Sequence, residues 1–169
     1  MRPLIILASS RKNSDTQKLV ELVFKNADIT LVDLLDYKIE QYNYEEEYPV
    51  DDDFLKVVEQ MLSHQLIVFA TPVYWYSMSG YMKVFFDRLT DIVSSQKHLG
   101  RKLKGKHTAL ITVSTDEELP EGFEIPFKRT SDYLDMEYVG CFFSPAKMVN
   151  NPIQQLLHQA EEWGREKLK

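Results

Sequence analysis

Leu66-Ile67-Val68-Phe69-Ala70, running straight into Thr71-Pro72-Val73-Tyr74-Trp75-Tyr76-Ser77-Met78-Ser79-Gly80, is the stretch on which the reading of this chain turns. Its first five residues are all apolar, do not alternate, and are too few for a helix. They suit a strand buried on both faces. The next residues read as a loop with a proline at the strand exit, three consecutive aromatics, two serines and a glycine. Aromatic rings exposed at a strand end are costly unless something flat covers them. Pro72 stiffens the exit. The backbone N–H groups beyond it can meet the polar edge of a ring, and Tyr74, Trp75 and Tyr76 can stack on that ring or wall it. A second reading stays open at this point, in which the same aromatics plug the sheet end or a subunit interface.

Four more apolar runs, at 4–8, 29–34, 108–113 and 138–143, have the same character. Helix-period segments lie between them. Ser14 with Gln17 makes a capping box before Leu19, Val20, Val23 and Phe24. The Asp51-Asp52-Asp53 run is expected to cap a helix carrying Phe54, Leu55, Val58, Met61 and Leu62. A third helix follows Gly80, a fourth is expected over about 123–136, and a last one with Asn151 as cap and Pro152 at its first position. Strands alternating with helices predict an α/β protein with a doubly wound parallel sheet. Five strands favour a flavodoxin-like three-layer sandwich of strand order 2-1-3-4-5.

In that order the strand sequence reverses between strands one and three, and ligands bind beyond the carboxyl ends of the strands there. The loops involved are 9–15 and 71–79. The first reads Ser9-Ser10-Arg11-Lys12-Asn13-Ser14-Asp15-Thr16. Free N–H groups at the helix start, small hydroxyls and the Arg11 guanidinium suit a phosphate. Asp15 repels an anion and is expected to turn away. An ordinary capped strand–helix turn explains the same residues equally well. Neither G-x-G-x-x-G nor G-x-x-x-x-G-K-[ST] is present, which argues against a Rossmann dinucleotide site and an ATPase.

The chain has 169 residues, 44% hydrophobic and 27% charged, as expected for one globular domain. A net charge of −6 argues against a general nucleic-acid binder. The single cysteine, Cys141, excludes an internal disulfide and reads as a core thiol. The first apolar run is too short for a signal-peptide core and none is long enough to span a membrane, so a cytoplasmic protein is expected. The four histidines show no ligand spacing, so no metal site is expected. Lys83 and Asp87 are expected to pair on a helix surface, and Phe85 and Phe86 to contribute to a dimer face.

The segment T-P-V-Y-W-Y-S-M-S-G-Y-M-K at 71–83, with F-F-D-R at 85–88, resembles the flavin-ring segment of the NAD(P)H-dependent FMN reductases. The loop S-S-R-K-N-S-D-T at 9–16 is similar to that family's flavin-phosphate loop, usually small-Ser-x-Arg-x-x-Ser-x-Thr. The resemblance covers nearly the whole chain. It implies FMN as cofactor, NADPH or NADH as hydride donor, a small-molecule acceptor (a quinone, a nitro or azo compound, or free flavin) and a homodimer. It places Ser9, Arg11, Ser14, Asp15 and Thr16 around the phosphate. Pro72, Val73, Tyr74 and Trp75 would line the isoalloxazine, largely through backbone N–H groups. Ser114, Thr115 and Asp116 would cover the remaining edge. Relatives often carry glycines where this chain has S-T-D-E-E, and Asp116 and Glu117 would bring negative charge to the flavin. Tyr74 and Tyr76 are candidate proton donors, with a stacking role favoured. Two other classes compete with the enzyme: a flavodoxin-type electron carrier docking through its acidic runs, and an interaction domain without flavin.

Overall fold

In the computed structural model, which describes residues 2–168, the apolar runs become five parallel strands in the order β2-β1-β3-β4-β5. They are β1 (Leu4–Leu7), β2 (Thr30–Asp33), β3 (Leu66–Pro72), β4 (His107–Ser114) and β5 (Glu137–Pro145). Successive side chains point to opposite faces and both faces are covered. Leu4 and Ile6 thus join one core with Phe54, Met61, Met82, Phe85 and Phe127, while Ile5 and Leu7 join another with Leu19, Val20 and Ala160. The first core is closed by α2 (Phe54–Ser63), α3 (Gly80–Arg88) and α5 (Ile125–Tyr133). The second is closed by α1 (Asp15–Val23) and α7 (Gln154–Lys167), with the short α4 (Lys97–Gly100) and α6 (Ala146–Asn150) in connections. Gly164 lets α7 press onto α1, since a Cβ there would stand 2.1 Å from the Val23 carbonyl oxygen.

Several local expectations are corrected. The last helix begins at Gln154, not at Pro152. Asn151 instead ends α6, donating its N–H to the Lys147 carbonyl, and Pro152 lies in the connection. The fourth helix is shorter than 123–136. Asp135 adopts a left-handed φ of 56°, and the Met136 N–H turns back onto the Ser131 carbonyl. Phe85 is fully buried against Phe54 and so offers no dimer face, while Phe86 packs between Phe69 and Phe127 and stays half-buried. The Lys83–Asp87 pair forms at 2.7 Å. Cys141 packs against the first core, and burial pushes its thiol well above the ordinary range.

The aspartate run does more than start α2. Asp52 Oδ1 accepts from the Phe54 N–H, as a cap should, but the same carboxylate takes both terminal nitrogens of Arg88, at 2.8 and 3.1 Å. Asp53 accepts from the Lys38 N–H instead of capping the helix. Arg88 also binds Asp91 at 2.8 Å and the Glu40 carbonyl at 3.1 Å, and its guanidinium lies over the Tyr48 ring. Arg88, Asp52 and Asp91 are all nearly out of solvent. This cluster fastens the long 38–53 segment to α3. Burial alone would raise the Asp52 carboxyl, but the Arg88 guanidinium and the Glu40 and Phe54 N–H groups outweigh it and hold it below the usual carboxylate range. A depressed folded-state value contributes stability above the unfolded value, near pH 4, and that stability is lost as pH falls through the folded one. Arg88→Met leaves two buried carboxylates without their cation and is expected to cost about 3–5 kcal/mol. Denaturant unfolding at neutral pH measures this, and at pH 3 the deficit should shrink as the freed carboxylates protonate.

Candidate functional site

Parallel pairing of β1 with β3 brings the two loops singled out in the sequence off the same edge of the sheet. The last rung is Ala8 N–H to the Ala70 carbonyl at 2.8 Å. Ser79 then ties the loops together. Its hydroxyl donates to the Ala8 carbonyl at 2.8 Å and accepts from the Met82 N–H, while its own N–H donates to Thr71 Oγ1 at 3.0 Å. Further out, the hydroxyls of Ser10 and Tyr74 meet at 2.7 Å. Lys12 fastens the first loop to the end of β2 through Asp33 at 2.7 Å and Asp36 at 2.6 Å, and these hydrogen bonds raise its pKa.

The start of α1 has the geometry of an anion cradle. Ser14 caps it, accepting from the Gln17 N–H at 3.2 Å, and Gln17 returns its side-chain oxygen to the Asn13 N–H. The N–H groups of Asp15 and Thr16, in the first turn, have no intrahelical carbonyl to bind. Thr16 Oγ1 is buried with no hydrogen-bond partner among the described residues. A buried hydroxyl without a partner is costly, and Thr16 is one of the residues lining a cavity of about 210 Å³. Arg11 and Asp15 stand 3.7 Å apart, and Asp15 also holds Lys18 at 3.2 Å, so its charge is occupied by cations.

Ten of the twelve residues proposed from the sequence line that cavity: Ser9, Arg11, Ser14, Asp15 and Thr16 from the first loop, then Pro72, Val73, Tyr74, Ser114 and Thr115. Trp75 and Asp116 do not. Val113 and Ala146 were missed; Ala146 starts α6 just after β5, at the same carboxyl edge of the sheet. The expected donors are also redistributed. Pro72 has no N–H, Val73 donates to the Val113 carbonyl at 2.8 Å, and Tyr74 donates to the Ser77 carbonyl at 2.8 Å. Sheet and turn therefore consume the N–H groups of Val73 and Tyr74, leaving those of Trp75 and Tyr76.

Tyr74 and Ser77 exchange both backbone hydrogen bonds, closing a two-residue turn with Trp75 and Tyr76 at its tip. Both tip residues are left-handed, with φ of 48° and 63°. Glycine or asparagine normally fills such positions. Two bulky aromatics there store strain and hold their rings in solvent, Trp75 at 92% exposure. The carboxylates of the β4 loop are engaged by neighbours. Ser114 Oγ accepts the Asp116 N–H and meets its carboxylate, while Glu117 pairs with Lys147. No group of three or more His, Cys, Asp or Glu is placed to hold a metal among the described residues. Nor is any helix there long and apolar enough to cross a membrane.

A 2-1-3-4-5 parallel sheet with a polar cavity at its switch point defines a flavodoxin-like α/β protein. The family model of NADPH-dependent FMN reductases matches residues 1–123, and the chain belongs to that family. FMN is accordingly its cofactor and NAD(P)H the electron donor. YdeQ, an uncharacterised NAD(P)H oxidoreductase of Bacillus subtilis (strain 168), is 31% identical over 80% of this chain and 68% of its own. Among solved structures, the Trp repressor binding protein of Bacillus subtilis superposes with a TM-score of 0.75 at 20% identity, over 95% of this chain and 96% of that one. General stress protein 14 of Treponema denticola, solved in complex with FMN, superposes with a TM-score of 0.71 at 16% identity, over 98% and 99%.

The strained turn yields a stability test. Trp75→Gly relieves a left-handed backbone and loses little packing, and is expected to raise stability by roughly 1 kcal/mol. Thermal denaturation of the FMN-free protein measures it, and a lowered Tm would mean that the indole packs on something.

Proposed function

We propose that the cavity at the switch point is the FMN site and that the protein passes reducing equivalents from NAD(P)H to a small-molecule acceptor. The observation that carries this reading is the buried, unpartnered Thr16 hydroxyl in a cavity built by three separate loops. In this reading the hydroxyls of Ser9, Ser14 and Thr16 and the first-turn N–H groups of α1 hold the phosphate. Arg11 adds positive charge, and Asp15 orients Arg11 rather than facing the anion. Pro72, Val73 and Tyr74 wall one side of the flavin ring, and Ser114 and Thr115 the other. FMN, once bound, supplies the hydride relay between nicotinamide and acceptor. The chain's own part is to orient the two reactants and exclude water. Trp75 and Tyr76 do not line the cavity, but they follow Tyr74 directly with exposed rings, and in this reading those rings cover a nicotinamide or an acceptor. The Tyr74 hydroxyl is bonded to Ser10, which favours a walling role for it over proton donation.

The family match favours the enzyme over the carrier reading, and part of the acidic run is engaged within the chain. Asp51 is bound to Lys38, Asp52 to Arg88, Asp53 to Lys56, and Glu46 to Ser94. Asp52 is thus withdrawn from the surface, while Glu45, Glu47 and the Asp51–Lys38 pair stay exposed.

Thr16→Val keeps the shape and removes the hydroxyl. It is expected to leave the FMN-free protein as stable or more so, while weakening FMN by about 1.5–3 kcal/mol, the range for a hydrogen bond to a charged group. Quenching of FMN fluorescence on titration gives the dissociation constant, and an unchanged value would remove α1 from the site.

A further inference from the structure

The wall of the cavity on the β4 side backs onto a charge that the fold does not neutralise. In the order β2-β1-β3-β4-β5, the loop after β4 is separated from the α1 cradle by the loop after β3. A ligand whose phosphate sits in the cradle therefore leaves its ring to the β3 and β4 loops. Ser114 and Thr115 line the cavity there. Ser114 is buried, and its Oγ accepts the Asp116 N–H at 3.1 Å and donates to the Asp116 carboxylate at 3.4 Å. Asp116 thus stands one hydrogen bond behind a lining residue. Glu117 is paired with Lys147, and Asp15 with Arg11 and Lys18, but among the described residues no cation pairs with Asp116. Water screens such an exposed carboxylate until a ring covers the loop.

The donors that could offset this charge are spent. The Val73 N–H goes to the Val113 carbonyl, the Tyr74 N–H to the Ser77 carbonyl, and the Asp116 N–H to Ser114. Trp75 and Tyr76 keep theirs but lie outside the lining. Among the described residues, Arg11 is the one cation in the lining, and it belongs to the α1 end. A site that stabilises new negative charge aims donors at it. The ring side of this cavity backs onto a carboxylate instead.

We propose that Asp116, held by Ser114, tips the site toward oxidised FMN, so that bound FMN is a stronger reductant than free FMN. The inference rests on the cavity being the flavin site. The step concerned is hydride uptake from NAD(P)H. NAD(P)+ leaves, and the flavin gains two electrons and one proton, and with them one unit of negative charge that the Asp116 carboxylate opposes. Asp116 itself takes no proton in this step.

FMN titration of the wild-type chain, read by fluorescence quenching, comes first, and no binding overturns the flavin site and this proposal together. Potentiometric titration of the FMN-loaded protein against an indicator dye then isolates Asp116. The wild-type midpoint should lie below that of free FMN in the same buffer. Asp116→Asn should raise it by about 20 mV or more, a fivefold change in the ratio of the dissociation constants for oxidised and reduced FMN. Should Asp116→Asn not fold, Asp116→Ser serves the same comparison. Asp116→Glu keeps the charge and should stay near wild type, which a role in loop shape alone would not give. Glu118→Gln removes a carboxylate of the same loop that has no hydrogen bond to a lining residue, and should shift the midpoint less than Asp116→Asn. A wild-type midpoint at or above that of free FMN, an unchanged midpoint in Asp116→Asn, or an equal shift in Glu118→Gln overturns the proposal while leaving the flavin site standing.

Discussion

The pairing of β1 with β3 is the constraint that creates the site. Parallel strands leave a sheet in the same direction, so two segments some sixty residues apart in sequence must emerge side by side. Pairing alone would only make them neighbours. Ser79 makes them one body, because its hydroxyl and N–H reach β1, β3 and the first turn of α3 together. All of these groups are buried, and each hydrogen bond is therefore worth more than its surface equivalent and costs more to break. The cradle at α1 and the aromatic turn are held in fixed relation by backbone geometry before any ligand arrives.

Local pattern and sheet topology were legible in the sequence. Continuous apolar runs marked the strands, and the switch-point rule brought the loops of 9–16 and 71–79 together without any contact information. The way individual groups are spent was not legible. Nothing in T-P-V-Y shows that the Val73 and Tyr74 N–H groups are taken by Val113 and Ser77, since that requires knowing the register with β4 and the turn type. Asp52 illustrates the same limit. Three aspartates before an apolar helix read as caps, and only the fold reveals an arginine from α3 reaching back to one of them. Asn151-Pro152 is a sound helix start on local grounds, overridden because α6 had already claimed Asn151 as its end.

The charges around the site obey a common logic. In the proposed site, a phosphate loop next to Asp15 and a flavin edge next to Asp116 and Glu117 look unfavourable when only sequence distance is considered. In the fold Asp15 is shared by Arg11 and Lys18, Glu117 is neutralised by Lys147, and Asp116 folds back on Ser114. Most of these pairs are exposed and add little stability. Their effect is local: they give Asp15 and Glu117 cationic partners and tie Asp116 to Ser114.

Strain and burial are distributed in the opposite sense to what stability alone would select. The aromatic turn keeps two large rings in left-handed positions that glycine would occupy at lower cost, and the α1 cradle keeps a buried hydroxyl unpaired. Each is unfavourable in the free protein; Thr16 lines the cavity, and the turn follows directly on Tyr74, which lines it too. Such features also occur elsewhere: Thr112 Oγ1 in β4 is a second buried hydroxyl without a partner, and Glu46 and Asp135 are left-handed. At the α1 cradle and the aromatic turn, a bound ligand would supply the missing hydrogen bond and cover the exposed rings. Tyr74 sits where these demands meet: its backbone closes the strained turn, its hydroxyl binds the phosphate-side loop, and the residue lines the cavity. A change at this residue therefore acts on turn, loop and cavity together, and its effects on stability and on turnover are coupled through one side chain.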